Sequence, residues 1–578
     1  MPKYNLESHG KVLGHPSALF TLFFTEMWER FSYYGMRAIL VLFLTSAIID
    51  GGWAWSRAEA LSLYGTYTSL VYLTPILGGF LADKYMGYRN AVALGALIMT
   101  LGHASMAFET PTTLYIGIAC LIIGNGFFKP NITSIISNIY ADHPEKKDGA
   151  YTIFYMGVNA GAFLGIMLCG YLGEKVGWGY GFGLAGIFMF FGMLQFWFGQ
   201  GIFGEIGKKP DPQTSEAVQL QAGERLNPFT TLDKILIGIA AVLGISWVIN
   251  DPVSTIGGSG FFNFTIGSLD GASAVILTGV ILFFILLVMR IRRYDPITKD
   301  RMIAVAVFAF FTVFFWAAFE QAGGSMTIFA SDYTDRSLEG SWAMGFKIFN
   351  TLLTIIPLGI ITYVLWSLFQ QTFKNFALSN IILGSSFVMI WGVVLWMVQR
   401  EFSQTNTEVT ASWFSILNSF FIITCAPFFS RWWESKYNPS AAIKYALGLI
   451  LLGIGFGALA FGALSIPQGA TAAAVSMVWL VIAYFFHTMG ELCLSPVGLS
   501  YVSKLVPARM IAFMFGIWYL AIAIGNKTAG KLGGMIDQIT SQYSLTTFFL
   551  IFTLIPIGAG LILVVFNPII KKLMHGIR

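Results

Sequence analysis

The feature that most constrains this chain is the recurrence, from one end to the other, of apolar runs about twenty residues long divided by short polar loops. A run of that length is matched to a hydrocarbon layer roughly 30 Å thick, and in lipid its backbone can satisfy its own hydrogen bonds only as a helix. Such runs lie at about 17–49, 60–82, 90–107, 113–139, 150–174 and 180–203, then at 232–250 and 271–290. They continue at about 302–330, 343–369, 377–398, 410–431, 441–465, 473–503, 511–535 and 545–567. Charge leaves no alternative class open. Only 11% of the 578 residues are charged, against about 25% in soluble domains. A soluble chain of this length splits into several domains, each needing a charged coat, and here there is too little charge to make them. The expected fold is an all-α polytopic membrane protein with about 14 to 16 spanning helices.

The net charge of +5 is a matter of placement more than of total. Lys84/Arg89, Lys146/Lys147, Lys208/Lys209, Arg290/Arg292/Arg293, Arg431/Lys436, Lys504/Arg509 and Lys571/Lys572 all fall on one side if the spans alternate. The loop Asp251 to Gly271, on the other side, has no Lys or Arg. By the positive-inside rule both termini are expected to be cytoplasmic, and no nucleic-acid partner is implied. Met1 to Pro16 is polar and carries Lys3, Glu7 and Lys11, so the first run is expected to be a span and not a cleaved leader. Cys120, Cys169, Cys425 and Cys493 sit in apolar stretches without CxxC spacing and read as buried small hydrophobes, with no cofactor implied.

Domain order follows from the linkers. Residues 1–203 form a first six-helix set. Residues 204–300 hold a polar linker, with Lys208, Lys209, Pro210 and Pro212, and an inserted hairpin. Residues 301–578 form a second six-helix set with an additional pair at 343–398, a pair whose spanning, re-entrant or surface character stays open. Two helical sets around a central pathway is a layout common to transporters.

Ionisable groups inside spans are costly and mark function by default. The first helix is the densest: from Glu26 it reads E-M-W-E-R-F-S-Y-Y-G-M-R, and Glu26, Glu29 or Arg30, Tyr33 or Tyr34, and Arg37 recur at helical spacing. Glu26 and Arg30 are four apart and can pair. Snorkelling at a helix end would need fewer charges, placed nearer the boundary. Elsewhere Lys129 follows G-N-G-F-F and precedes Pro130, Glu320 sits in F-F-W-A-A-F-E-Q-A-G, and Glu491 sits in H-T-M-G-E-L-C-L-S-P, where Ser495 lies one turn on and Pro496 is expected to break the helix. Asn159 and Asn418 lie in apolar surroundings, where a plain helix–helix hydrogen bond is as good a reading as a ligand contact. His487, one turn before Glu491, can titrate near neutral pH but reads first as a packing residue.

Between the second and third runs, Gly78-Gly79-Phe80-Leu81-Ala82-Asp83-Lys84-Tyr85-Met86-Gly87-Tyr88-Arg89 resembles the loop signature of the major facilitator superfamily, with one extra residue before Gly87. That variation is found in its proton-coupled oligopeptide transporter (POT) branch. The first-helix motif of that family, Glu-x-x-Glu-Arg-Phe-x-Tyr-Tyr-Gly, matches Glu26 to Gly35 at every fixed position. Its fifth-helix signature resembles Phe154-Tyr155 through Asn159 to Gly161, and its tenth-helix signature resembles Gly490-Glu491 through Ser495-Pro496. The resemblance implies a major facilitator fold, two six-helix bundles plus inserted hairpins, working as a monomer in a bacterial cytoplasmic (inner) membrane. It implies a proton-coupled symporter that imports di- and tripeptides by alternating access.

The resemblance further implies that Glu26, Glu29 and Arg30, with Lys129 and Glu320, couple protons. Arg37 and Lys129 hold a peptide carboxylate. Glu491, with Asn159 and Asn418, holds the amino group, Ser495 is a further substrate-binding residue, and Tyr33, Tyr34, Tyr72, Trp316 and Trp518 wall the pocket. Gly65 stands where animal members carry histidine, and the pair 343–398 departs from the usual pattern. A relative carrying nitrate gains nothing from Glu491. An enzyme would need a reaction motif, and no GxSxG, HExxH or Walker sequence is present. A receptor that binds peptide without moving it is the remaining alternative.

Overall fold

A computed structural model describes residues 4–209, 227–505 and 511–577. Pro210, Pro212 and Arg509 lie outside the described residues. The long helices, in chain order, are α1 (Ser17–Thr45), α2 (Arg57–Leu81), α3 (Tyr88–Met106), α4 (Pro111–Ile139), α5 (Pro144–Lys175), α6 (Trp178–Gly199), α7 (Thr231–Gly257) and α8 (Gly271–Ile291). After them come α9 (Pro296–Phe319), α10 (Gly340–Thr372), α11 (Ala377–Ser403), α12 (Ile416–Glu434), α13 (Ala441–Gly462), α14 (Val478–Leu505), α15 (Ile511–Gly534) and α16 (Leu545–Leu573). Each expected run is a helix, and among the described residues 12 helical segments are long and apolar enough to cross a membrane. The protein is a multi-pass membrane protein.

Local chemistry sets the boundaries. Thr110 and Thr230 are N-caps of α4 and α7, each in a reciprocal capping box that satisfies orphan backbone donors. Pro111, Pro144 and Pro296 stand at helix starts, where the missing N–H costs nothing. Pro496 does not break its helix: α14 continues to Leu505.

The chain divides into two compact units. The first comprises residues 1–54, 73–214 and 327–423, and the second comprises 55–72, 215–326 and 424–578. In the first, α1 is the central helix, packed on α5 and α6, with α3 against α4 and α6. Nearly every residue of α1 is buried, so its charges meet protein and not lipid. In the second, α13 packs on α14 and α16, and α9 on α15 and α16. The hairpin α7–α8 presents Ile235, Ile239, Val242, Leu277, Ile281 and Phe284 outward, as a lipid-facing hairpin must.

Chain order attached the pair 343–398 to the carboxy-terminal set, but its packing partners are in the first unit. The helix α11 lies along α6. Phe387 meets the rings of Phe24 and Trp28, both at 5.6 Å. Ser379 donates to the Gln195 carbonyl at 2.7 Å, and the Tyr171 hydroxyl donates to Glu401 at 2.8 Å. Both helices of the pair meet the length and apolarity of a membrane span, in place of the re-entrant alternative. Helix α2 is shared: its first part groups with the second unit and residues from Leu73 on with the first, and Pro75 sits just past that junction.

Candidate functional site

The seating of α1 on α5 is made by small residues. A side-chain carbon on Gly161 would collide with the Met27 carbonyl oxygen, and one on Gly165 with the Phe31 carbonyl oxygen. Glycine here lets two backbones approach as helices in lipid do. That seam fixes the rotation of α1 and turns the E-x-x-E-R motif away from lipid.

The three charges then close on one another. Arg30 Nε donates to Glu26 Oε1 at 2.8 Å and lies 2.6 Å from Glu29 Oε2. Glu29 is fully buried, and the side chains of Glu26 and Arg30 are 5% exposed. Asn125 of α4 donates from Nδ2 to Glu29 Oε1 at 3.2 Å. Lys129, one turn further along α4, is near enough for its charge to act on Glu29. The Arg30 guanidinium also stands 5.4 Å from the Tyr33 ring centre, and Arg37 stands 5.9 Å from that of Tyr34. Tyr33 and Tyr34 meet edge to face at 5.0 Å. Isolated burial of such groups is prohibitive, whereas a paired and hydrogen-bonded cluster can persist.

Two further expected residues belong to the first unit. Asn159 Nδ2 donates to the Tyr155 carbonyl one turn back on its own helix at 2.9 Å. Asn418 lies near the start of α12, behind the turn Ala411–Ser415. That turn is pinned by Glu174 of α5, which accepts from the backbone N–H groups of Ala411 at 2.8 Å and Ser412 at 2.9 Å.

The second unit holds the remainder. Glu320 is 2% exposed at the end of α9, where the helix tightens into a 3-10 turn, and the Tyr64 hydroxyl donates to its Oε2 at 3.1 Å. Trp316, one turn earlier, packs against Tyr72 at 6.1 Å and Phe319 at 5.4 Å. Tyr519 joins the same group, 6.4 Å from Tyr72. Trp518 is buried edge-on to Tyr445 at 6.2 Å. Glu491 is half-buried on α14, and Ser495 Oγ, one turn on, is shielded from solvent without a hydrogen-bond partner. His487 lies against Phe456 at 4.4 Å, a packing position.

Reading the sequence missed three participants, Asn125 on Glu29, Tyr64 on Glu320 and Tyr519 beside Tyr72, and also an ion pair between Lys527 and Asp251. Lys527 carried the same signal that singled out Lys129, a lone cation in an apolar run, A-I-G-N-K-T. Tyr64 carried none, because a tyrosine among apolar residues is ordinary core. Among the described residues no group of three or more His, Cys, Asp or Glu is placed to hold a metal ion.

Comparison with known proteins shows the family. A profile described as POT family matches residues 89–405 and 350–549. The chain is 31% identical over 568 residues to the uncharacterized transporter YclF of Bacillus subtilis (strain 168), covering 98% of this chain and 96% of that one. It is 30% identical over 578 residues to the peptide transporter YePEPT of Yersinia enterocolitica subsp. palearctica serotype O:3 (strain YE-P4), covering 97% and 96%. A crystal structure of peptide transporter POT in complex with sulfate aligns with a TM-score of 0.70 at 29% identity, covering 98% of each chain.

Proposed function

This chain belongs to the POT family, and on that premise we propose that it is a proton-coupled symporter that carries di- and tripeptides across a bacterial cytoplasmic membrane by alternating access. The single observation that carries this reading is the cluster of Glu26, Arg30 and Glu29. Two carboxylates share one guanidinium at pairing distance in a fully buried setting. A site of that kind is sensitive to one proton. Burial disfavours a charged carboxylate and an adjacent cation favours it, so any movement that changes the pairing changes proton affinity. Protonating one carboxylate frees Arg30, or Lys129 beside it, to take another partner.

The substrate chemistry follows from where charge is held. Arg30, Arg37 and Lys129 belong to the first unit, and Glu320 and Glu491 to the second. In the proposed cycle Arg37 and Lys129 take the peptide carboxylate, while Glu491, with Asn159, Asn418 and Ser495 near it in role, takes the amino group. Tyr33, Tyr34, Tyr72, Trp316 and Trp518 offer aromatic surface without side-chain-specific polar contacts, which favours broad acceptance of peptide side chains. The likeness to YePEPT and to the sulfate-bound peptide transporter supports peptide as the cargo.

The test is uptake of labelled di-alanine into proteoliposomes with and without an inward proton gradient, with labelled nitrate run in parallel. Accumulation of di-alanine above the equilibrium level only under the gradient supports the reading. Nitrate accumulation in its place, or peptide binding without accumulation, overturns it.

A further inference from the structure

The second unit carries a group of buried donors that the transport reading does not use. It lies where α12 ends and α13 begins, at the loop holding Arg431 and Lys436, on the side where Lys and Arg concentrate. Ser440 is the N-cap of α13, but its hydroxyl donates to Asn567 Oδ1 of α16 at 2.7 Å and leaves the first turn uncapped. The backbone N–H groups of Ala441, Ala442 and Ile443 have no intrahelical acceptor by their position, and none meets another acceptor among the described residues. Ala441 and Ala442 are nonetheless buried.

Lys444 adds a charge to the same turn. Side chains on a helix lean toward its N-terminus, so one in the first turn reaches back past the uncapped N–H groups. Lys444 is 6% exposed, and its ammonium makes no hydrogen bond or ion pair among the described residues. It lies 4.4 Å from the centre of the Trp433 ring, a contact that steadies the charge but leaves its three N–H donors unused. Lys504 of α14 is near enough for its charge to act on the same ammonium. The carboxylate of the adjoining loop, Glu434, is exposed and accepts from Ser430 on its own helix at 3.4 Å. A cation in a first turn opposes the helix dipole, and a buried ammonium without an acceptor is costly. An anion at this turn answers both, as anions at helix N-termini do.

The surroundings specify what carries the anion. Phe428 and Trp432 of α12 are exposed, as are Val565 and Ile569 of α16, the helix that Asn567 ties to Ser440. Tryptophan at the end of a span belongs at headgroup level. Apolar surface on the two helices bordering the donors suits a molecule with a phosphate at one end and hydrocarbon at the other. We propose that the first turn of α13, with Lys444 and Lys504, binds the headgroup phosphate of an anionic phospholipid. The backbone donors and the Lys444 ammonium take the phosphate oxygens, and the acyl chains lie along α12 and α16. A zwitterionic lipid brings its own cation to a place that already holds two lysines, so the site prefers phosphatidylglycerol to phosphatidylcholine.

The experiment uses the purified, delipidated full chain in detergent, with phosphatidylglycerol, phosphatidylcholine and inorganic phosphate added in turn. Native mass spectrometry counts the lipid retained, and reductive methylation with peptide mapping follows the reactivity of Lys444. Phosphatidylglycerol should bind about tenfold more tightly than phosphatidylcholine and slow methylation of Lys444 about tenfold, with inorganic phosphate at the same concentration doing neither. Lys444→Gln should lose the preference and Lys444→Arg keep it. Lys146→Gln, at an exposed lysine of the first unit, should leave it unchanged. Equal retention of the two lipids, or a preference that survives in Lys444→Gln, overturns the site. Protection by inorganic phosphate equal to that by phosphatidylglycerol overturns the lipid assignment in favour of a free anion. Methylation is read on the wild type, so a Lys444→Gln chain that fails to fold leaves the test intact: unchanged Lys444 reactivity with phosphatidylglycerol bound overturns the proposal.

Discussion

At the residue scale, Glu29 and Glu491 differ in burial, and the proposed cycle gives them different parts. Glu29 has every oxygen inside the protein, facing Arg30 and Asn125, so it suits a group that exchanges a proton and touches no solute. Glu491 is half-buried with Ser495 one turn on, and suits a group that meets one. On the proposed reading, replacing Glu491 by Gln removes a charge-assisted hydrogen bond to a peptide ammonium, worth roughly 1.5–3 kcal/mol, or about ten- to a hundredfold in half-saturation. Competition assays should find that loss for di-alanine and little change for a peptide whose amino group is acylated. Equal losses for both ligands would remove Glu491 from the amino-group site. Much of this was legible because isolated charges in apolar runs stand out. Asn125 did not, although its motif did: a polar amide between two glycines reads as packing until the carboxylate it serves is located in space.

At the scale of elements, the inserted pair α10–α11 is built into the first unit through its aromatic contacts. Phe387 is 3% exposed between Phe24 and Trp28, side chains flanking the coupling motif. Phe387→Ala should cost roughly 3 kcal/mol of stability by leaving a cavity at that contact, read as a lowered melting temperature in detergent. An unchanged melting temperature would make the pair a loosely associated addition. Its spans were legible, since length and apolarity are properties of one segment. Its partners were not, because packing against α6 depends on side chains far apart in sequence.

The segment before α1 makes a second case. His15 Nδ1 and the Tyr140 hydroxyl are hydrogen-bonded at 2.8 Å, and His9 sits edge-on to Phe376 at 5.2 Å. Burial, joined at His15 by the Lys146 charge, holds both imidazoles below their usual range. A histidine bound in its neutral form contributes fully above about pH 6.5 and loses that contribution as the pH falls from there toward its depressed value. Amide exchange of residues 4–16 should therefore quicken below about pH 6.5, and His9→Gln/His15→Gln should abolish the change. The same acceleration in the double variant would assign it to other groups.

At the scale of the whole molecule, the shared helix is what the sequence concealed most thoroughly. The apolar pattern of residues 57–81 reads as one ordinary span, yet its two parts group with different units around a proline. Periodicity reports that a helix exists and which residues it hides, whereas membership is decided by contacts such as Ser62 to Asp251 and Thr74 to α4. The central claim is that a carboxylate in the α1 cluster converts a proton gradient into peptide accumulation, and its most direct test is Glu29→Gln in proteoliposomes. The account predicts that counterflow exchange of di-alanine persists while gradient-driven accumulation is lost, since a permanently neutral side chain allows the rearrangement without carrying a proton. Accumulation that still follows the pH gradient in Glu29→Gln would contradict it.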